Sequence, residues 1–141
     1  MEAGYDLRFE TPSVKDYCRL RRVAGLVPRS MAAARAGLPN TVAGVVVRHR
    51  GEAVGMGRAV GDGLVYLVVD VAVAPEHQGR GLGRDIMAAL MDRLRAVAPA
   101  EAYVALFANG GAERLYERFG FTHAAPATPG MEMWIGTPLE G

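Results

Sequence analysis

Val69-Asp70-Val71-Ala72-Val73-Ala74-Pro75-Glu76-His77-Gln78-Gly79-Arg80-Gly81-Leu82-Gly83 is the stretch on which the fold turns. Its first half is rich in Val and Ala and stops at Pro75, as a buried strand does. Its second half places Gly at 79, 81 and 83 and runs directly into a helix. There Leu82, Ile86, Leu90 and Leu94 recur at i+4 with Met87 and Met91 alongside, while Arg84, Asp85, Asp92, Arg93 and Arg95 point elsewhere. The predicted helix ends near Val97, before Pro99. Alternating glycines let bare backbone N–H groups converge at the helix start. Together with the positive end of the helix dipole, those groups make a phosphate site. Arg80 and Arg84 flank it and can add charge-assisted bonds. Two familiar phosphate loops match poorly: no Gly-Lys-Ser/Thr ending is present, and the spacing is G-x-G-x-G on a fourth strand rather than G-x-G-x-x-G on a first.

Upstream, Tyr5 to Phe9 alternates as a short first strand, and Thr11-Pro12 reads as a helix start with Thr11 at the N-cap. Val14, Tyr17, Cys18 and Arg21 share one face of that helix. A second short helix is predicted from about Ser30 to Gly37, where the glycine is a good stop, and Leu38-Pro39-Asn40 breaks the chain. Three β-type runs follow, Thr41 to Arg48, Ala53 to Val60 and Leu64 to Ala74, joined by short glycine turns as in an antiparallel meander. Beyond the long helix, Ala102 to Ala108 reads as a fifth strand, Ala112 to Phe119 as a helix capped by Gly120, and Met131 to Ile135 as a last strand. The predicted order is β-α-α-β-β-β-α-β-α-β, an α/β (α+β) chain with a mixed, mostly antiparallel sheet. At least one parallel crossover passes through the long helix.

Composition narrows the function classes. Glycine makes up 18 of 141 residues, yet half the chain is hydrophobic. Such a chain is neither collagen-like nor disordered, and its length suits one domain, residues 1–141, burying roughly two-thirds of its unfolded surface. Sixteen basic residues against fifteen acidic ones leave a net charge of +1. That balance argues against nucleic-acid and membrane-surface partners. The single cysteine, Cys18, cannot form an internal disulfide, Met1 to Arg8 carries no apolar signal region, and no run approaches 18 apolar residues. A cytoplasmic domain is the expectation.

Gln78-Gly79-Arg80-Gly81-Leu82-Gly83 fits the pattern Q/R-x-x-G-x-G/A that binds acyl-CoA. With the V-x-V-x-P before it and Asn109-x-x-Ala112-x-x-Leu115-Tyr116-x-x-Phe119-Gly120-Phe121 after it, the chain resembles the GNAT acyltransferase superfamily over nearly its whole length. The resemblance implies a GNAT fold with about four helices and a splayed pair of fourth and fifth strands, between which pantetheine lies like an added strand. It implies acetyl-CoA as acyl donor, with Gln78, Gly79, Arg80, Gly81, Leu82, Gly83 and Arg84 at the pyrophosphate. The backbone of Val71 falls near the thioester carbonyl, where an N–H would stabilise an oxyanion, and Val73 falls on the pantetheine amides. Asn109 matches a pantetheine- or strand-contacting position. Tyr116 matches the tyrosine that protonates the departing thiolate, a role open to a phenol with an ordinary pKa near 10.

The general base is not assigned by this comparison. Some family members carry a Glu on the fourth strand where this chain has Leu67. Asp70 is the nearest acid and a candidate base, and a water chain to solvent is the alternative. The implied reaction is acetyl transfer to the primary amine of a small molecule by direct attack in a ternary complex. Acetylation of a protein N-terminus or lysine is the runner-up, and a non-catalytic acyl-CoA sensor is the alternative of another class. Many members of the family are homodimers, and nothing in this sequence specifies an interface.

Other residues receive plainer readings. His49, His77 and His123 are scattered and read as surface histidines; no metal-ligand spacing is present. Neither Ser13 nor Ser30 lies in a G-x-S-x-G context. Met31, Met56, Met87, Met91, Met131 and Met133 read mostly as core filler, and Met56 and Trp134 could also line an acceptor pocket. Gly55 and Gly57 suggest a bend in the sheet, with close approach of an acceptor as the other reading. Arg19, Arg21, Arg22, Arg29 and Arg35 read as a solvated face; if several converge, an acceptor bearing a carboxylate or phosphate becomes attractive.

Overall fold

A computed structural model describes residues 1–108 and 111–141. Five strands, β1 (Tyr5–Arg8), β2 (Ala43–His49), β3 (Glu52–Gly61), β4 (Val65–Val73) and β5 (Tyr103–Ala105), lie in one sheet in sequence order. The first four are antiparallel to their neighbours, and β5 runs parallel to β4. The helices are α1 (Val14–Val23), α2 (Met31–Gly37), α3 (Leu82–Val97) and α4 (Glu113–Glu117). The mixed sheet with a crossover through the long helix is therefore as the sequence predicts.

Side-chain alternation sends the strands' apolar residues to two cores. On one face, Val45, Val47, Val54, Tyr66 and Val68 pack with Ile86, Met87, Leu90 and Leu94 of α3. On the other, Val46, Met56 and Ala72 pack with Tyr17, Cys18 and Leu20 of α1 and Ala34 of α2. Cys18 is accordingly a packing residue.

Two features of β4 position the site. Its pairing with β5 covers only Val65 to Leu67, so Val68 to Val73 continue without a strand on that side among the described residues. The splayed pair implied by the family resemblance is thus present. Its pairing with β3 shifts register between Met56–Ala72 and Arg58–Val69, leaving Asp70 and Val71 together opposite Gly57. This is a β-bulge. Asp70 takes a left-handed backbone, φ +59°, which costs a non-glycine residue about 1–2 kcal/mol.

Several local expectations are corrected. α1 is capped by Ser13, whose hydroxyl accepts from the Asp16 amide at 3.1 Å, rather than by Thr11. Gly37 does not turn left-handed; the chain continues into a 3-10 turn at Leu38–Asn40. Met131 to Ile135 is not a strand, and Met131 and Ile135 are 92% and 99% exposed. Residues such as Trp134 and Ile135 favour extended backbone, but a strand needs a neighbouring backbone to pair with, and none lies alongside among the described residues. Gly55 and Gly57 serve close packing by α3 rather than an acceptor. A Cβ on Gly57 would stand 2.6 Å from Cγ2 of Ile86 and 2.9 Å from Cδ1 of Leu90.

Both of those side chains are fully buried, so α3 has little room to retreat. Gly57→Ala is expected to lower stability by about 1–3 kcal/mol, the usual cost of overpacking. Denaturant unfolding checks this; an unchanged midpoint would show that the α3 side chains can yield without cost.

Candidate active site

Gln78 to Gly83 lead into α3 with the geometry that an anion cradle needs. Gly79 and Gly81 both have φ +79°, and Gly81 is the N-cap of α3 with no side chain bonded across it. Left-handed backbone at these two positions turns successive amides toward one side, at little cost because glycine has no Cβ. No backbone carbonyl accepts from the amides of residues 79–84 among the described residues. A Cβ on Gly79 would meet nothing within 4 Å. The orphan donors of the helix start are thus open to a ligand.

The loop is propped by residues that the sequence does not associate. The Tyr5 hydroxyl lies 2.7 Å from Nδ1 of His77, and the ring of His49 stacks 4.6 Å from Tyr5 and 5.0 Å from His77. His49 is held below its ordinary pKa by loss of solvent first, then by His77, Arg50 and Arg80. Arg80 reaches Glu2 at 3.0 Å and lies over the Tyr5 ring. His49 and His77 are partly exposed, as the surface reading expects, but they are not scattered: with Tyr5 they form one ring cluster. Strand pairing of β1 with β2 places Tyr5 opposite His49, and no local pattern announces it.

A cleft of about 1170 Å³ opens beside the bulge and is lined by Asp70, Val71, Gln78 and Tyr116 among others. Four of the residues that the sequence singles out thus border one cavity. Val71 points its side chain toward α3, and its backbone sits on the stretch of β4 that β5 leaves uncovered. The Val73 carbonyl accepts from Nε2 of Gln78 at 3.0 Å. Tyr116, on α4, packs edge-on to Phe121 with centroids 6.4 Å apart. Burial raises the Tyr116 phenol above its ordinary value, so it holds its proton through the neutral range. Asn109 lies outside the described residues. Leu67 sits in the paired part of β4, opposite Val60 and Ala105.

Asp70 occupies a different setting from its neighbour. Its side chain crosses to the α1 face, where Arg21 Nη1 donates to Oδ1 and Arg58 Nη1 donates to Oδ2 at 2.7 Å. Tyr17 donates its hydroxyl to Oδ1 at 3.2 Å. Burial first, and then the Asp70 charge, raise the Tyr17 phenol above its ordinary value. Both carboxylate oxygens are therefore committed to donors. Of the five N-terminal arginines, Arg21 and Arg29 line the cleft; Arg19 instead pairs with Asp16 and Glu52. Arg29 lies over the ring of Trp134, 5.0 Å from its centroid, and Trp134 lines the cleft as the sequence suggests. Met56 is fully buried in the core and does not reach the cleft. Arg58 and Tyr17 are the functional candidates that the sequence does not single out. Among the described residues, no group of three or more His, Cys, Asp or Glu side chains is placed to hold a metal ion, and no helix is long and apolar enough to cross a membrane.

The acetyltransferase (GNAT) domain family matches residues 41–123. This chain belongs to that family. Within the GNAT family it is similar to a probable acetyltransferase of unknown function from meticillin-resistant Staphylococcus aureus. That likeness has 37% identity and a TM-score of 0.87, over 92% of this chain and 98% of the other. It is also 38% identical over 85 residues to serotonin N-acetyltransferase 2, chloroplastic, of Oryza sativa subsp. japonica. The match takes in 60% of this chain and 42% of that relative, so the chain spans about two-fifths of the relative's length. The ribosomal-protein-S18-alanine N-acetyltransferase of Escherichia coli shares the fold at 23% identity and a TM-score of 0.70, over 86% of this chain and 79% of the other.

In this member of the GNAT family the Asp70 cluster is buried, with the carboxylate side chain 6% exposed and the two guanidinium side chains 9% and 10%. Asp70→Asn keeps the size and the tolerance of a left-handed backbone but leaves two buried cations without a counter-charge. A loss of about 3–5 kcal/mol is expected in chemical unfolding. A loss below about 1 kcal/mol, typical of exposed pairs, would show that solvent screens the cluster.

Proposed function

We propose that the protein transfers an acetyl group from acetyl-CoA to the primary amine of a small molecule by direct attack in a ternary complex. The observation that carries this reading is the meeting of three elements at one cleft. These are Gln78, which heads the loop of open amides before α3, the uncovered edge of β4 and a half-buried phenol on α4. Acetyl-CoA supplies an activated thioester when bound. The amides of Gly79 to Gly83, with Gln78, Arg80 and Arg84, hold its pyrophosphate, a role that suits donors without backbone partners. Arg80 exchanges its partner Glu2 for phosphate in this scheme. Val71 and Val73 offer backbone groups to the pantetheine arm, with Asn109 as a further contact.

Chemistry at the bulge follows from charge. As the amine nitrogen bonds to the acetyl carbon, negative charge grows on the carbonyl oxygen, and the Val71 N–H stabilises it. When the carbon–sulfur bond breaks, Tyr116 gives its proton to the sulfur and recovers one from solvent. The nitrogen's surplus proton leaves through water in the cleft. Asp70 acts here by position: its two oxygens are engaged by Arg21, Arg58 and Tyr17, which leaves it better suited to holding the bulge than to taking a proton. The whole chain, residues 1–141, works as one domain in the cytoplasm in this reading. A small-molecule acceptor is favoured by the similarity to the rice enzyme, whose name gives serotonin as its acceptor.

Acetyl-CoA at about one hundred times its Kd should stabilise the fold by roughly 2.7 kcal/mol, measured as a rise in Tm; no rise at saturation would remove the donor from the scheme. Tyr116→Phe should lower kcat roughly a hundredfold while leaving that rise in place. In the parent protein, the raised phenol pKa puts any loss of turnover from Tyr116 ionisation above about pH 10, and the phenylalanine variant should lack that limb. Unchanged kcat in Tyr116→Phe would assign the thiolate's proton to water.

A further inference from the structure

The cluster around Asp70 is not balanced. Two guanidiniums, Arg21 and Arg58, share one carboxylate, and Tyr17 contributes a neutral phenol. One positive charge is therefore left over at residues that are only 7% and 8% exposed. Glu132 also lines the cleft, but no ion pair within 4 Å joins it to either arginine among the described residues. A surplus charge in a poorly solvated place favours a counter-ion.

Free donors accompany the surplus charge. Arg21 uses Nε on the Val27 carbonyl and Nη1 on Asp70; Arg58 uses Nε on the Thr41 hydroxyl and Nη1 on Asp70. No acceptor is found for Nη2 of either residue among the described residues. Yet no fully buried side-chain nitrogen or oxygen lacks a partner there, so these two groups keep their access to the cleft that both residues line. Their orientation is set in advance, because Asp70 bridges the two guanidiniums and Tyr17 lies within 5.9 Å and 5.7 Å of them. Preorganised, partly desolvated guanidiniums are strong hosts for carboxylate and phosphate oxygens.

Position relates this pocket to the acyl-transfer point. The cluster lies on the α1 face of the sheet, while the Val71 side chain faces α3. Asp70 and Val71 are consecutive, so the anion pocket adjoins the backbone proposed to polarise the thioester.

We propose that the acceptor is a compact amine bearing an anionic group, a carboxylate or a phosphate, which seats on the Nη2 groups of Arg21 and Arg58. This rests on the acetyl-transfer reading and sharpens it, because serotonin-like amines carry no such group. The test compares matched acceptors in steady-state kinetics: propylamine with β-alanine, and ethanolamine with O-phosphoethanolamine. In at least one pair the anionic member should have a kcat/KM about tenfold higher or more, mainly through KM; which pair shows it separates carboxylate from phosphate. Arg58→Gln leaves Arg21 and Asp70 balanced and should bring the ratio within each pair to about twofold or less, with the acetyl-CoA rise in Tm reporting a folded variant. If that variant does not fold, the wild-type ratios decide alone. Equal turnover within both pairs, or preference for the neutral members, overturns the anion pocket and leaves acetyl transfer standing. If no acceptor is turned over, the same pairs are titrated calorimetrically into the acetyl-CoA-saturated protein. Tighter binding of the anionic members then upholds the pocket while the transfer reading falls, and equal or absent binding overturns the pocket.

Discussion

The bulge at Asp70 and Val71 is the constraint on which the other parts depend. Before it, Tyr66 and Val68 face α3; after it, Val71 and Val73 do. A regular strand would carry the parity of 66 and 68 through residue 70 and drive a carboxylate into the apolar core against α3. Opposing Gly57 with two residues shifts the parity and sends Asp70 to the α1 face, where Arg21, Arg58 and Tyr17 receive it. The left-handed backbone at Asp70 costs about 1–2 kcal/mol, which the charge-assisted bonds to its side chain offset. Strain, sheet geometry and ion pairing are thus one feature.

That feature ties the two cores to the cleft. Gly57 is opposite the bulge and is also the point where Ile86 and Leu90 press against the sheet. The packing that seats α3 and the irregularity that shapes β4 therefore meet at a single residue without a side chain. α3 in turn carries at its N-terminus the amides left open by Gly79 and Gly81. Moving the helix would move the donor loop relative to Val71. The short pairing of β4 with β5 completes the arrangement by leaving the far half of β4 uncovered.

Much of this was legible in the chain. The i+4 apolar repeat of α3 predicts its residues closely, and the glycine spacing marks the loop ahead of it, because both are properties of neighbouring residues. Gln78, Val71, Asp70 and Tyr116 do border one cleft. Less was legible where the outcome depends on how the chain enters an element or on a partner far away in sequence. Ser13, not Thr11, caps α1, a choice between close neighbours that depends on how the chain enters the helix. Met131 to Ile135 has the apolar content of a strand and, among the described residues, no neighbouring backbone to pair with. His49 and His77 read as isolated residues until the sheet brings them together with Tyr5 of β1.

Arg58 and Tyr17 show the limit most clearly. Nothing near either one indicates a shared carboxylate at Asp70, 12 and 53 positions away. The sequence by itself determined the strand, glycine loop and helix unit and the family to which it belongs, because backbone freedom and apolar period are encoded locally. Only the tertiary structure decided which way Asp70 faces, which arginines meet it and that one positive charge is left over. Those outcomes depend on a one-residue register shift between β3 and β4 and on where α1 docks across the sheet, and a one-residue shift reverses a side chain's face without leaving a mark in the local pattern.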